Sequence, residues 1–253
     1  MNLGELRNEL RVGILNDRSD RVSGSSDYLW TDETLTRYIN IAQRRFARRS
    51  LCIRDSRTAE VCQVTLVTGQ TEYTLHSSVI AVISAKVEGD PQDLRRGGHS
   101  VFDTYQSPDT YFFDVNQLSV EAPDKPRAYS TDETLVEDDN SAISTVVLRV
   151  YPAPSAAYNG TKILLRVVRL PLDTLISDKQ QCEIPEDHQL EMLDWAAYLA
   201  LRIADHDAGD APRAENYAKS FEAHAQVARN AAMRKLFAPT TWGFGRSGFS
   251  WEK

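Results

Sequence analysis

The sequence predicts an α+β protein. A discontinuous helical bundle, made of N-terminal helices plus a C-terminal helical hairpin, carries an inserted antiparallel β domain and ends in an extended C-terminal arm. Three observations predict this. Apolar residues recur at helical spacing near both ends of the chain. Between residues 59 and 171 they alternate instead, with many β-branched residues and frequent turn signals. Residues 238–253 have no period at all. The expected boundaries are 1–57 and 183–237 for the bundle, 58–182 for the β insertion and 238–253 for the arm.

The first element is a short helix, because Leu3, Leu6, Leu10 and Ile14 fall on one face, and Gly13 weakens its end. Residues 16–26 are polar and read as a loop. Thr31 is placed to cap a second helix, with Asp32 and Glu33 in the first turn facing the positive end of the helix dipole. Leu35, Tyr38, Ile39, Ala42 and Phe46 form its apolar stripe, and Trp30 ahead of the cap pairs with Leu35 as a hydrophobic staple. The other face and the helix end carry Arg44, Arg45, Arg48 and Arg49, with Arg54 and Arg57 beyond.

Strands are expected at 61–67, 72–75 (pairing back on the first), 79–87, 111–115, 116–120, 145–151 and 162–170. The turns between them are marked by Gly97-Gly98, Pro108, Pro123 to Pro126, Pro152 to Pro154 and Asn159-Gly160. No long helical pattern intervenes, which favours a sandwich or small barrel over a parallel sheet. Residues 121–140 hold seven acidic and two basic side chains with two prolines, the composition of an exposed loop or arm. Pro185, with Glu186 and Asp187 beside it, starts another helix whose stripe is Leu190, Leu193, Ala197 and Leu201, widened by Trp195, Tyr198 and Ile203. Asp205 to Asp210 breaks it. A last helix begins near Pro212, carries Ala214, Tyr217, Phe221, Ala225, Ala228 and Ala232, and ends near Phe237. Neither helical end can bury its stripe alone, so the two are expected to pack together.

At 253 residues the chain can bury a core without covalent staples. The net charge of -7 and pI near 5.3 exclude a globally basic, nucleic-acid-coating surface. Glu5, Arg7, Glu9 and Arg11 interrupt the opening segment, so it does not read as a signal peptide, and no apolar run approaches the ~20 residues of a membrane span. Folding in a reducing cytosol is therefore expected, with Cys52, Cys62 and Cys182 as free thiols.

No catalytic or metal signature stands out. Gly243-Phe244-Gly245-Arg246-Ser247-Gly248 matches G-x-G-x-x-G in letters, but a dinucleotide site needs a strand before it and a helix after it, and neither is expected. His188 and Glu191 lie one helical turn apart in the reverse order of a di-metal motif, and read as a surface pair. His206 between Asp205 and Asp207 reads as helix-end chemistry. The cysteines have no zinc spacing, and the carboxylate run at Glu137 to Asp139 is too solvated to hold a raised pKa. Hence no catalytic residue, metal or cofactor is expected.

Two features point to partners. The run Arg37, Arg44, Arg45, Arg48, Arg49, Arg54, Arg57 concentrates positive charge in an acidic protein. Arginine throughout favours fixed ion pairs at an interface, and no interleaved aromatics support single-strand stacking. A protein contact is favoured over DNA. The acidic arm, with Glu133, Glu137, Asp138 and Asp139, is the complementary surface, and a head-to-tail match between copies would generate a ring. The second feature is the arm, where Trp242, Phe244, Phe249 and Trp251 sit with Arg246 on a glycine-rich segment. These aromatics either fold back or anchor in a partner's pockets.

The opening helix, then Trp30-Thr31-Asp32-Glu33-Thr34-Leu35, then Tyr38-Ile39-Asn40-Ile41-Ala42-Gln43-Arg44-Arg45, resembles the start of tailed-bacteriophage head-to-tail adaptor proteins. Trp195-Ala196-Ala197-Tyr198-Leu199-Ala200 and the stretch from Ala214 with Tyr217 and Phe221 resemble that family's helical hairpin. The resemblance covers both ends, less than half of the chain. It implies a helical bundle bearing a β domain and a structural, non-enzymatic virion protein at the head–tail junction, assembled in the host cytoplasm. The implied partners are the portal, tail proteins (nozzle, tube or fibre), further copies in a ring usually of twelve, and packaged DNA in the channel, with no membrane. It makes Trp242, Phe244, Phe249 and Trp251 portal-contact candidates. The competing expectations are a phage-carried hydrolase with its site in the β domain and a nucleic-acid-binding regulator using the arginine helix.

Overall fold

The computed structural model describes residues 1–17, 28–97, 123–138, 141–202 and 210–236, with side chains left out at 133–138, 141–144 and 235–236. The fold is α+β, as the periodicities predict. Asn2 begins α1 (Leu3–Asn8) with a capping box: its side chain accepts from the Glu5 amide, and Glu5 accepts from the Asn2 amide. The predicted single helix then widens to a π-helical turn over Glu9–Ile14. Helix α2 (Asp32–Ser50) is capped by Thr31, whose hydroxyl accepts from the Thr34 amide, and stops at Leu51 in the left-handed region (φ 55°). Helices α4 (Gln189–Leu201) and α5 (Ala211–Leu236) follow the β region.

One core joins both ends of the chain. Leu6 and Leu10, Leu35, Ile39 and Phe46, Met192, Leu193 and Ala196, and Phe221, Ala225 and Ala228 are buried together. Phe46 and Phe221 meet edge to face at 5.8 Å between centroids. The predicted stripe of α4 needs one correction: Leu190 is 52% exposed, and Met192, Ala196 and Ala200 fill the buried face. Leu190 keeps the phase of the stripe but stands in the first turn of the helix, at the end of the buried face, after the short 3₁₀ turn Glu186–His188.

The second core lies between two sheets. In one, β8 (Lys162–Arg169) pairs antiparallel with β4 (Val79–Val87) and with β1 (Arg54–Asp55) and β2 (Gln63–Thr65). In the other, the order is β3 (Glu72–Thr74), β7 (Ser141–Tyr151), β6 (Ala128–Asp138), β5 (Arg95–Arg96), antiparallel except for the short β5–β6 pair. Val82, Val87, Tyr129, Leu148, Val150, Ile163 and Leu165 fill the space between them.

Three expectations fail here for physical reasons. The predicted strand at 61–67 begins as a helical turn, α3 (Ala59–Cys62), because the Thr58 carbonyl collects the amides of Val61 and Cys62. Residues 72–75 pair with β7 rather than with the preceding strand. The acidic stretch 121–140 is not an irregular loop. Residues 128–138 form β6, paired along its whole length with β7 from Ala128 opposite Tyr151 to Asp138 opposite Ser141. Cross-strand backbone bonding outweighs like-charge crowding there. The expected strands at 111–115 and 116–120, the break at 205–210 and the arm lie outside the described residues.

The two cores meet at an ion-paired junction. Arg169, at the end of β8, bonds Asp55 of β1 through Nε (2.7 Å) and Glu183 through Nη1 (2.5 Å). Glu183 also accepts the amides of Leu172 and Asp173, which folds residues 171–183 back toward the helices.

Candidate partner interface

The side of α2 that does not face the core carries Arg37, Ile41, Arg44, Arg45, Arg48 and Arg49. Arg37, Arg44, Arg48 and Arg49 are exposed, and Ile41 is 43% exposed. Two open grooves flank this ridge, sharing Ile41 and Arg44. The larger, about 520 Å³, lies against residues 174–176. The smaller, about 360 Å³, lies between α2 and α4 over Leu170, Trp195 and Leu199.

The wall of the larger groove is fastened from α2 itself. The Asn40 amide donates to the Leu175 carbonyl (2.9 Å) and accepts from the Leu175 amide (2.8 Å), as a neighbouring strand would. Gln43 is buried beside it and accepts from the Cys182 thiol at 3.1 Å. Residues 178 and 180 in turn accept the amides of Gly4 and Leu3. Ile176, held at the top of this wall, is 81% exposed.

The arginines divide into two kinds. Arg45 lies over Trp195, its guanidinium carbon 3.5 Å from the ring centroid, and shares Glu222 of α5 with Arg49 (3.3 and 3.4 Å). Arg54 donates to the Ala232 carbonyl. Arg45 and Arg49 thus tie α2 to α5, and Arg54 ties β1 to the same helix. Arg44 and Arg48 form no ion pair with any described residue, so their charge faces outward. Along the sequence these arginines form one run of charge. Its partners, Glu222 and Trp195, come from distant helices and leave no local signal.

Of the acidic set, Glu133, Glu137 and Asp138 stand on β6 opposite Val146, Ala142 and Ser141. Asp139 falls between the strands, outside the described residues, as do Trp242, Phe244, Arg246, Phe249 and Trp251.

Elsewhere, polar clusters are structural in geometry. His188 meets Glu191 at 2.7 Å and lies against Phe46. Asp194 accepts from Ser220 (2.7 Å) and sits 3.2 Å from His224. Burial pushes the Asp194 carboxyl above its usual range against the pull of those two partners. Ser220 points at the carboxylate, not at the imidazole, so the three are not arranged as a nucleophile and base. Among the described residues no three metal-ligating side chains converge, and no helix is long and apolar enough to cross a membrane.

The described residues thus place two open grooves edged with arginine on the helical core, beside the β sandwich. The comparison with known families supplies the class. The family model described as SU10 adaptor protein matches residues 1–242, so the chain belongs to the SU10 adaptor protein family. This is a family of bacteriophage head-to-tail adaptors, structural components of the virion. No curated protein matches the chain.

Proposed function

We propose that the protein forms a ring, of about twelve copies by the family resemblance, seated on the portal, where it extends the DNA channel and offers tail proteins a docking platform. The observation that carries this reading is the family match, which spans both helical ends and the β region between them. The helical core gives the ring its rigid body, and the β sandwich is a separate surface for tail components. The charge of Arg44 and Arg48, which meets no carboxylate among the described residues, is available to a neighbour, and the arm at 238–253 to the portal.

The test uses DNA-filled heads from phage lacking this gene. Added purified chain should bind the portal vertex as a discrete ring in particle images and restore tail attachment. Heads that gain tails equally well without it would overturn the proposal.

A chain truncated after Leu236 separates the arm from the fold. It removes Trp242, Phe244, Arg246, Phe249 and Trp251 and keeps every described residue of either core. Its melting temperature should stay within a few degrees of the full chain, and its retention on isolated heads should fall by about tenfold or more, the loss of one aromatic hot spot. Full retention would remove the arm from the portal contact.

A further inference from the structure

We infer that Ile176, exposed on the 171–183 segment of one copy, inserts in the arginine-rimmed groove between α2 and α4 of a second copy. The inference deepens the ring reading above and rests on it, since it names the contact that joins neighbours.

The groove has a particular chemistry. Its base is apolar, from Leu170, Trp195 and Leu199, and Arg44 and Arg48 stand on its rim, about 6 Å apart along α2. Arg45 is committed to Trp195 and Glu222 and so holds the groove's shape. A nucleic-acid backbone would use the rim but gain nothing from the base. Trp195 is 9% exposed beneath Arg45, which leaves little ring face for a base to stack on. The fitting occupant is an apolar side chain with a carboxylate beside it.

The described surface carries such a group. Ile176 is the most exposed large apolar side chain described, and the sequence around it reads Asp173-Thr174-Leu175-Ile176-Ser177-Asp178. A single exposed apolar residue is ordinary on a loop, but this one stands on a segment fastened at many points. Leu175 is buried and bonded to Asn40 in both directions, the Asp173 carbonyl accepts from Gln43, and Glu183 accepts the Leu172 and Asp173 amides. The Ile176 amide itself donates to the Gln180 side chain at 3.0 Å. A β-branched side chain on so fixed a backbone has little freedom left to lose on binding. Asp178 is paired with Arg7 at 3.0 Å, whereas the exposed Asp173 carboxylate forms no ion pair with any described residue. In its own copy Ile176 borders the other groove, across the α2 ridge, and lines no part of the one between α2 and α4. Knob and groove are thus opposite in charge, alike in apolar character and set on opposite flanks of one helix. Each copy bears one of each, so the contact is heterologous, the geometry that closes rings.

Two surface variants of the full chain test this. Ile176→Ser removes the knob and keeps the groove, while Arg44→Glu with Arg48→Glu spoils the groove and keeps the knob. None of these side chains belongs to either core, so circular dichroism melts should match wild type within a few degrees. Arg44→Gln with Arg48→Gln gives a milder groove variant if the reversal unfolds it. In sedimentation velocity up to millimolar protein, wild type should grow past the dimer. Each variant alone should self-associate about tenfold or more weakly, the loss expected of about 1.4 kcal/mol. An equal mixture should form a one-to-one complex at wild-type strength and stop there, because only one variant's knob and the other's groove still match. Unchanged association in either variant, no complex on mixing, or a wild type that stays monomeric or stops at dimers would overturn the contact. So would a groove variant that loses short duplex DNA but keeps self-association, which would assign the face to nucleic acid. Binding to heads is read separately on particle images. Intact rings on heads from variants that no longer self-associate would overturn this contact and leave the ring reading standing, whereas an absence of wild-type rings would overturn the ring reading itself.

Discussion

Replacing Arg169 by methionine is expected to lower the unfolding free energy by about 3–5 kcal/mol, the cost of removing one member of a buried ion-pair network. The Arg169 side chain is 11% exposed and its partner Asp55 8%. Methionine fills much the same space, so the loss comes from the carboxylates left behind. Burial would raise the Asp55 carboxyl. Bonds from the Thr58 hydroxyl, the Arg57 and Thr58 amides and Arg169 overcome that and hold it well below the usual carboxylate range. In the wild type this contribution is full above the unfolded pKa of about 3.9 and is lost as pH falls through the lower folded value. Without Arg169 the folded pKa rises, so the gap between variant and wild type should be widest at neutral pH and narrow below about pH 4. Adding Asp55→Asn to the variant should recover part of the loss. Urea titrations at pH 7 and pH 4 read all of this. A loss below about 1 kcal/mol at pH 7 would mean that water already compensates the pair.

Phe221→Ala should cost a similar amount, about 3–5 kcal/mol, through a cavity that the packed helices cannot close. Phe221 is fully buried, edge-on to Phe46 of α2 and 5.2 Å from Trp195 of α4. It is thus the point where three helices from both ends of the chain touch. For a chain of this size each kcal/mol lowers the melting temperature by roughly 2–4 °C. The effect should extend to function. Trp195 is the base on which Arg45 lies, so the variant should also loosen the groove and weaken self-association at temperatures where it is still folded. A variant that melts early yet associates normally would separate the groove from the helical core.

These two residues show where the sequence was readable and where it was not. Helix α2 was legible because everything that defines it is local: the Thr31 cap, the acidic first turn, the stripe from Leu35 to Phe46. Phe221 was legible as core for the same reason. The role of Arg169 was not, since its partners lie 114 and 14 residues away in the chain. The β6 side of the hairpin was misread because residues 132–139 are mostly acidic and lack the apolar alternation that marks a half-buried strand. Only the register with a second strand reveals it. The arginine run was visible as charge, but its division into Arg45 and Arg49, paired with Glu222, and Arg44 and Arg48, turned outward, depends on where α4 and α5 come to rest.

The union of both chain ends in one core has a consequence during synthesis. The β sandwich is complete once the ribosome has passed Arg169, while α1 and α2 have yet to meet their partners. Chains fold from the N-terminus as they emerge, so for that interval α2 waits with its apolar stripe uncovered. The groove beneath Arg44 and Arg48 does not yet exist, because Trp195 and Leu199 have not been made.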